Sequence, residues 1–313
     1  MSAVSKLTTV PARSTFSVPV WLLALVALVL LAVPIFVQNK FIIYLATEAL
    51  CWALAAAALD LLVGYLGLTP LGHIAMWGLG GYTVAILLGA GVPLPLALVA
   101  SIVIAALYSA ITAPLALRAG GIFFLMITLA FAQMTYTLAD KWTALTGGTD
   151  GLTFRSGLQP LELYFLTVIL TGVSLFLLGR LVTSPFGRVL EAIHQNENRA
   201  RALGYPVFAY KYGAVLIASG FIGLAGALAA LHREIVTPSD MFWLHSAIML
   251  IMVLLGGARS LWGPVIGAVL YITVQSYVSS QTDLWAGIVG LLLIVLVLTG
   301  RGGLWSLIER RRA

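Results

Sequence analysis

The sequence predicts an all-α fold: a polytopic membrane helix bundle of about 8–10 transmembrane helices, some of them short or broken. Hydrophobic residues make up 61% of the 313 residues and charged residues only 9%, where a soluble domain carries roughly 25% charge. The apolar residues gather into long stretches, and at roughly 20 residues per span the length accommodates a bundle of that size. The basic residues lie at the boundaries of those stretches rather than on one soluble face.

In chain order the apolar segments run over 18–37, 41–63, 71–91, 94–117, 122–139, 161–182, 207–231, 245–257, 263–281 and 284–300. Lys6 and Arg13 mark residues 1–17 as a tail. The run that follows is too long for a signal-peptide core and lacks a small-x-small cleavage site, so it reads as a retained first span. The third segment carries Gly78, Gly80, Gly81 and Gly89 after Pro70 and Gly72, and the eighth is only 13 residues long. Short or glycine-interrupted segments mark broken helices beside a substrate path. They also mark close packing, since Gly81, Ala85 and Gly89, Ser219, Gly223 and Ala227, and the shorter pair Gly263 and Gly267 form small-residue ridges. The two roles can coexist.

Ten crossings with the N-terminus inside place 13 of the 17 basic residues on the inner side and four (Lys40, Lys141, Arg155, Arg233) on the outer. This obeys the positive-inside rule. It makes residues 18–300 one membrane domain, 183–206 a cytoplasmic segment and 301–313 a basic cytoplasmic tail. A nucleic-acid binder would cluster its basic residues with aromatics between them, so no nucleic-acid partner is expected despite the pI near 9.6. The single Cys51 excludes an internal disulfide, and His73, His194, His232 and His245 lack HxxxH or HExxH spacing, so neither a metal nor a catalytic centre is expected. None of the four lysines completes a GxxxxGK[ST] loop, so neither ATPase activity nor a cofactor of its own is expected of the chain.

The longest polar interval between apolar segments, TSPFGRVLEAIHQNENRARALGYP over 183–206, reads as an amphipathic helix. Ser184 caps it, Pro185 suits its first position, and Gly204 with Pro206 closes it. Val189, Ile193, Ala200 and Leu203 share one face, and Glu197 with Arg201 forms an i,i+4 pair. Such an element docks on a soluble partner or simply lies on the membrane surface. Two acids fall inside predicted spans, Glu48 and Asp60, neither with an intramembrane basic partner in sequence. Asp60 lies close to the inner end, beside Arg118 or Arg259, whereas Glu48 is deep enough to face a path. The TGGTDG stretch at 146–151 reads as a tight outer turn, whose exposed N–H groups could also meet a carboxylate.

The phrases SPFGRVLEAIHQNENRARALGY and VTPSDMFWLHSAIMLIMVLLGGARSLWGPVIGA resemble the LivM-type permease of bacterial branched-chain amino acid ABC importers. GYLGLTPLGHIAMWGLGGYTVAILL, TLAFAQM and TGGTDGL occur in the same order as in that family, over about residues 41–300. The resemblance implies a multi-pass permease in the bacterial inner membrane, with both termini cytoplasmic, forming half of a translocation path. It implies a homologous LivH-type permease, two cytoplasmic ATP-binding subunits that use the ATP, and a periplasmic or lipid-anchored substrate-binding protein, with membrane lipid around the permeases. Branched-chain amino acids are the implied substrate, with urea or short amides as alternatives in relatives; a stand-alone proton-coupled transporter is the alternative mechanism. Coupling to the ATPase falls on Gly187, Arg188, Glu191, Ala192, Asn196, Glu197, Ala200 and Gly204. Irregular backbone and polar residues within spans assign the path to Glu48, Gly72, His73, Gly78, Gly81, Tyr82, Thr128, Gln133, Gly256 and Gly257. Where the family commonly has Gln-x-Ser-x-Gly-His, this chain has Leu68, Thr69, Pro70, Leu71, Gly72 and His73, so two polar groups are missing.

Overall fold

The computed structural model describes residues 40–281, with Gly287, Gly290 and Leu291 beyond them. The expected span 18–37, the expected span 284–300 apart from those three residues, and both tails lie outside the described residues.

At the centre stands α1 (Lys40–Asp60), prolonged by a π-helical stretch over Leu61–Leu66. After it come α2 (Ile74–Gly89), α3 (Leu94–Ala116), α4 (Ile122–Lys141), α5 (Pro160–Thr183), α6 (Pro185–Gln195), α7 (Glu197–Ala202), α8 (Val207–Arg233), α9 (Trp243–Gly256) and α10 (Trp262–Ser279). The composition of α1 explains its position. Ala53, Ala55, Ala56, Ala57 and Ala58 have no exposed surface, and side chains this small let α5, α8, α9 and α10 pack directly on the central helix. Five helices among the described residues are long and apolar enough to cross a membrane: α1 with its extension, α3, α4, α5 and α8. At the periphery, α3 and α4 present Leu107, Ile111, Phe123 and Met126 outward, as surfaces meant for lipid tails do.

Two shorter helices are the broken elements expected at 71–91 and 245–257. Helix α2 has 16 residues and α9 has 14, about 24 and 21 Å at ~1.5 Å per residue, short of the ~30 Å hydrocarbon core. His73, at the start of α2, lines a cavity with Val215, which lies eight positions into α8 from Val207. Farther along, Gly81 meets Ala230 near the other end of α8. The chain therefore leaves α1 at Gly67, returns non-helically through 68–73, and starts α2 partway across the bundle. In the opposite sense, a turn at Pro238–Met241 carries the chain inward to α9, and the Ser246 hydroxyl of α9 accepts the Ile74 N–H of α2 at 3.1 Å. The starts of the two short helices meet inside the protein, where their backbone is shielded from lipid.

The polar segment differs from the single helix its sequence suggests. Ser184 caps α6, accepting the Gly187 N–H, but Asn196 is extended and its Oδ1 accepts the Arg199 N–H at 2.9 Å, starting α7 afresh. A side chain that caps so readily competes with helix continuation. Val189, Ile193 and Ala200 are buried as the pattern predicted, while Leu203 is 72% exposed. Arg201 reaches Glu197 at 3.0 Å, and Lys211 reaches the same carboxylate at 2.6 Å.

Helix contacts decide much of the glycine question. Gly226 lies against the Trp77 carbonyl, Gly80 against that of Gly223, and Gly267 against that of Met252; a Cβ at any of them would overlap backbone. Gly89 faces open space, so the ridge of small residues on α2 stops short of it. At 146–151 the chain makes a tight turn, with Gly147, Gly148 and Gly151 at positive φ, followed by a two-residue ladder, β1 (Leu152–Thr153) antiparallel to β2 (Ile235–Val236).

Replacing Gly226 by Leu forces α2 and α8 apart and costs on the order of 1–3 kcal/mol, whereas Leu at Gly172, which has nothing within 4 Å, costs far less. Thermal melts of the two variants in detergent check the difference.

Candidate functional site

Ionic contacts gather at the two ends of the bundle, with a cavity between them. At the end where α1 finishes, Asp60 is wholly buried and its Oδ1 accepts the Arg259 backbone N–H at 2.9 Å. Arg259 follows the Gly256–Gly257 break between α9 and α10 and holds a left-handed φ of 69°, a conformation that costs a non-glycine residue energy unless its surroundings enforce it. Gly64 permits the approach, because a Cβ there would overlap both the Arg259 nitrogen and the Asp60 carboxylate. The Arg259 guanidinium then donates to the Glu191 carboxylate on α6. One residue thus ties the central helix, the α9–α10 break and the amphipathic helix together.

The rest of α6 and α7 divides into an inward and an outward side. Gly187 packs on the Val182 carbonyl and Ala200 is buried. Arg188, Ala192 and Asn196 are exposed, as is Gly204 in its turn. Glu197 holds Arg201 and Lys211. The His194 ring sits over Gly67, its Nδ1 3.0 Å from where a Cβ would stand. Partial desolvation of a largely exposed ring, with the Arg259 charge beside it, holds this imidazole below its ordinary pKa.

At the opposite end, Arg233 donates to Glu48 at 2.7 Å and to Asp240 at 3.1 Å. Glu48 is therefore not the isolated carboxylate its neighbours in sequence suggest; its partner arrives from 185 positions away. Gly78 and Gly81 line a cavity of about 210 Å³ beside this triad, with Trp77, Arg233 and Asp240. Gly78 packs on the Met241 side chain and Gly81 on Val236, so both also serve contact. Nearby, the Ser156 N–H and hydroxyl both donate to Glu234 and, more than any other cause, hold its carboxyl below the usual range.

Gly72, His73 and Thr128 come together around a third place, a cavity of about 330 Å³ between α2, α3, α4 and α8. The Thr128 Oγ1 accepts the Leu71 N–H at 3.2 Å, and Gly72 lies so close to the Thr128 carbonyl that no Cβ would fit. Both His73 ring nitrogens are buried without a hydrogen-bond partner among the described residues. Tyr82 and Gln133 line neither cavity; the Tyr82 hydroxyl and the Gln133 Oε1 are also buried and unpartnered. Eight of the ten residues assigned to the path are thus divided among the triad with its cavity, the inner cavity and the Gly256–Gly257 break, and Tyr82 and Gln133 belong to none of these. Gly64 and the bridging role of Arg259 have no local signal, because the partners lie 68 and 199 positions from Arg259. Among the described residues no group of His, Cys, Asp and Glu could hold a metal ion.

A bundle with broken helices meeting inside it, apolar flanks and an ion-paired amphipathic helix at one end defines a polytopic membrane permease. The chain belongs to the branched-chain amino acid transport system permease component family, whose model matches residues 41–298. It is 28% identical over 319 aligned residues to the "High-affinity branched-chain amino acid transport system permease protein LivM" of Escherichia coli K12, covering 90% of this chain and 74% of that one. The protein of the same name from Salmonella typhimurium matches to the same extent. A "Probable branched-chain amino acid transport permease protein LivM" of Methanocaldococcus jannaschii is 31% identical over 97 residues, 31% of this chain and 28% of that one. No solved structure matches.

His194 gives the contact between α6 and the bundle a pH dependence. Its pKa is depressed in the folded protein, so the unfolded chain takes up the proton first as pH falls below about 6.5. The contact is fully stable above that pH and weakens below it. Hydrogen exchange of α6, corrected for intrinsic rates, accelerates between about pH 7.5 and 5.5 in the parent and much less in His194→Gln.

Proposed function

We propose that this chain is the permease subunit of an ATP-driven importer, forming half of the translocation path for branched-chain or related small amino acids. Helix α6 receives work from a separate ATPase and passes it into the bundle. The observation that carries this reading is the line of contacts from Glu191 through Arg259 to Asp60. A helix lying loosely on a membrane surface needs no such connection to the buried core. Here a push on the exposed side of α6, at Arg188, Ala192 and Asn196, bears directly on the π-helical end of α1 and on the turn where α9 breaks. Elements held by close glycine contacts, with few bulky interlocks, can rock against one another.

Partners follow from the same reading: a second permease of the LivH type, two ATP-binding subunits docking on α6 and α7 from the cytoplasm, and a substrate-binding protein on the outer side. The setting is the bacterial inner membrane, with both termini cytoplasmic. The names of the relatives, not the cavity walls, support the substrate class. The alternative, a stand-alone proton-coupled transporter, would use Glu48 as its relay. The ion pair of Arg233 with Glu48 disfavours it, because that carboxylate is already engaged in a contact that also holds Asp240.

In a reconstituted complex, Arg188→Glu and Ala192→Trp lower ATP-dependent uptake about tenfold, a loss of ~1.4 kcal/mol in coupling, while the amount of permease in the membrane and ATP hydrolysis persist. Uptake driven by a proton gradient without ATP would overturn the reading.

A further inference from the structure

At the end of the bundle opposite α6, three separate elements meet on one side chain. Arg233, the last residue of α8, donates to Glu48 of α1 and to Asp240 in the turn before α9. The next residue, Glu234, holds a left-handed φ of 53°, and the Ser156 N–H and hydroxyl on its carboxylate anchor it to the loop before α5. A non-glycine residue stays in that conformation only where its surroundings enforce it. The strength of the triad suits a contact that must part and close again. The Arg233, Glu48 and Asp240 side chains are 28%, 22% and 18% exposed. Fully exposed ion pairs hold little, and breaking fully buried ones strands a charge away from water. This one lies between, and each partner can take up water once apart.

The position of the contact says what it closes. Arg233 and Asp240 keep some surface at that end and also line the cavity walled by Trp77, Gly78 and Gly81. Beside them the Nε2 of His232 is buried and has no hydrogen-bond partner among the described residues. A buried polar nitrogen is normally bonded, and this one gains water when the triad parts. One turn along α1 from Glu48, Cys51 is wholly buried. We propose that Arg233 is the gating residue at this end of the path. Paired with Glu48 and Asp240, it holds α1, α8 and the turn before α9 together, and its release lets them separate. The proposal rests on the transport reading and adds to it the element that opens opposite α6.

Cys51 is the only cysteine in the chain, and its reactivity reports the opening. A charged, water-soluble methanethiosulfonate is applied to the purified full complex, nucleotide-free or with a non-hydrolysable ATP analogue. Mass spectrometry follows the modification of Cys51. In the parent, Cys51 reacts several-fold faster in one nucleotide state than in the other. Arg233→Gln reacts fast in both, about tenfold above the slower parent state. Arg233→Lys, which keeps a charge for the two carboxylates, restores the dependence on nucleotide. Glu48→Gln removes one arm only and gives an intermediate rise, which keeps the test valid if Arg233→Gln does not fold. Parental rates in the folded variants overturn the proposal. So does a parent rate that is the same in both nucleotide states, the result a purely structural tie gives. ATP-dependent uptake by the same parent complex is scored separately. Its persistence beside either negative result removes the gate alone, whereas its absence removes the importer reading.

Discussion

A carboxylate on the central helix of a membrane bundle is tolerable only if a donor reaches it where water does not. Asp60 receives that donor from the Arg259 backbone, which lies in a left-handed turn after α9. Much of the inner end is arranged around this contact. Gly64 has no side chain so that the turn can come close, and α1 runs on as a π-helix through the same residues, a distortion that often accompanies functional sites. With its backbone fixed, Arg259 has its side chain free to grip Glu191 on α6. Satisfying one oxygen of a buried carboxyl group therefore also creates a mechanical joint.

The second constraint is the absence of water around the backbone. A chain that enters a membrane without helical hydrogen bonds must do so inside protein. Residues 70–73 do this against Thr128 of α4, and the turn before α9 does it against α2 and α4. The meeting of Ser246 with the Ile74 N–H closes the gap between the two short helices. Interrupted helices create the internal space that a permease needs, and an uninterrupted bundle of alanine and glycine ridges would fill it. On one side of this junction lies the cavity with His73; on the other lies the triad of Arg233, Glu48 and Asp240.

How far the sequence reveals this depends on the range of the interactions. Composition and apolar run length suffice for the helical membrane fold, and the glycines of 71–91 and the brevity of 245–257 mark the broken elements correctly, because these are local properties. Ser184, Pro185 and the Glu197–Arg201 pair are legible for the same reason. Asn196 is the local exception, since its capping preference competes with a helical pattern that continues on both sides. Long-range pairs carry no such signal. Nothing near Glu48 announces Arg233, and nothing in GGARS announces that its arginine will hold Asp60 by the backbone and Glu191 by the side chain. The convergence of Gly72, His73 and Thr128 is in part legible, as polar and irregular residues in spans.

The central claim is that α6 transmits force to the bundle through the contact between Glu191 and Arg259. Exchanging the charges tests it, because the bond to Asp60 comes from the Arg259 backbone and not from that side chain. In the reconstituted complex, uptake per ATP hydrolysed is measured for Glu191→Arg, Arg259→Glu and the double variant. The account predicts that each single change lowers the ratio about tenfold and that the double variant recovers most of it, a coupling within the range seen for directly contacting residues. A double variant no better than the poorer single one, with all three proteins folded and inserted, would contradict it.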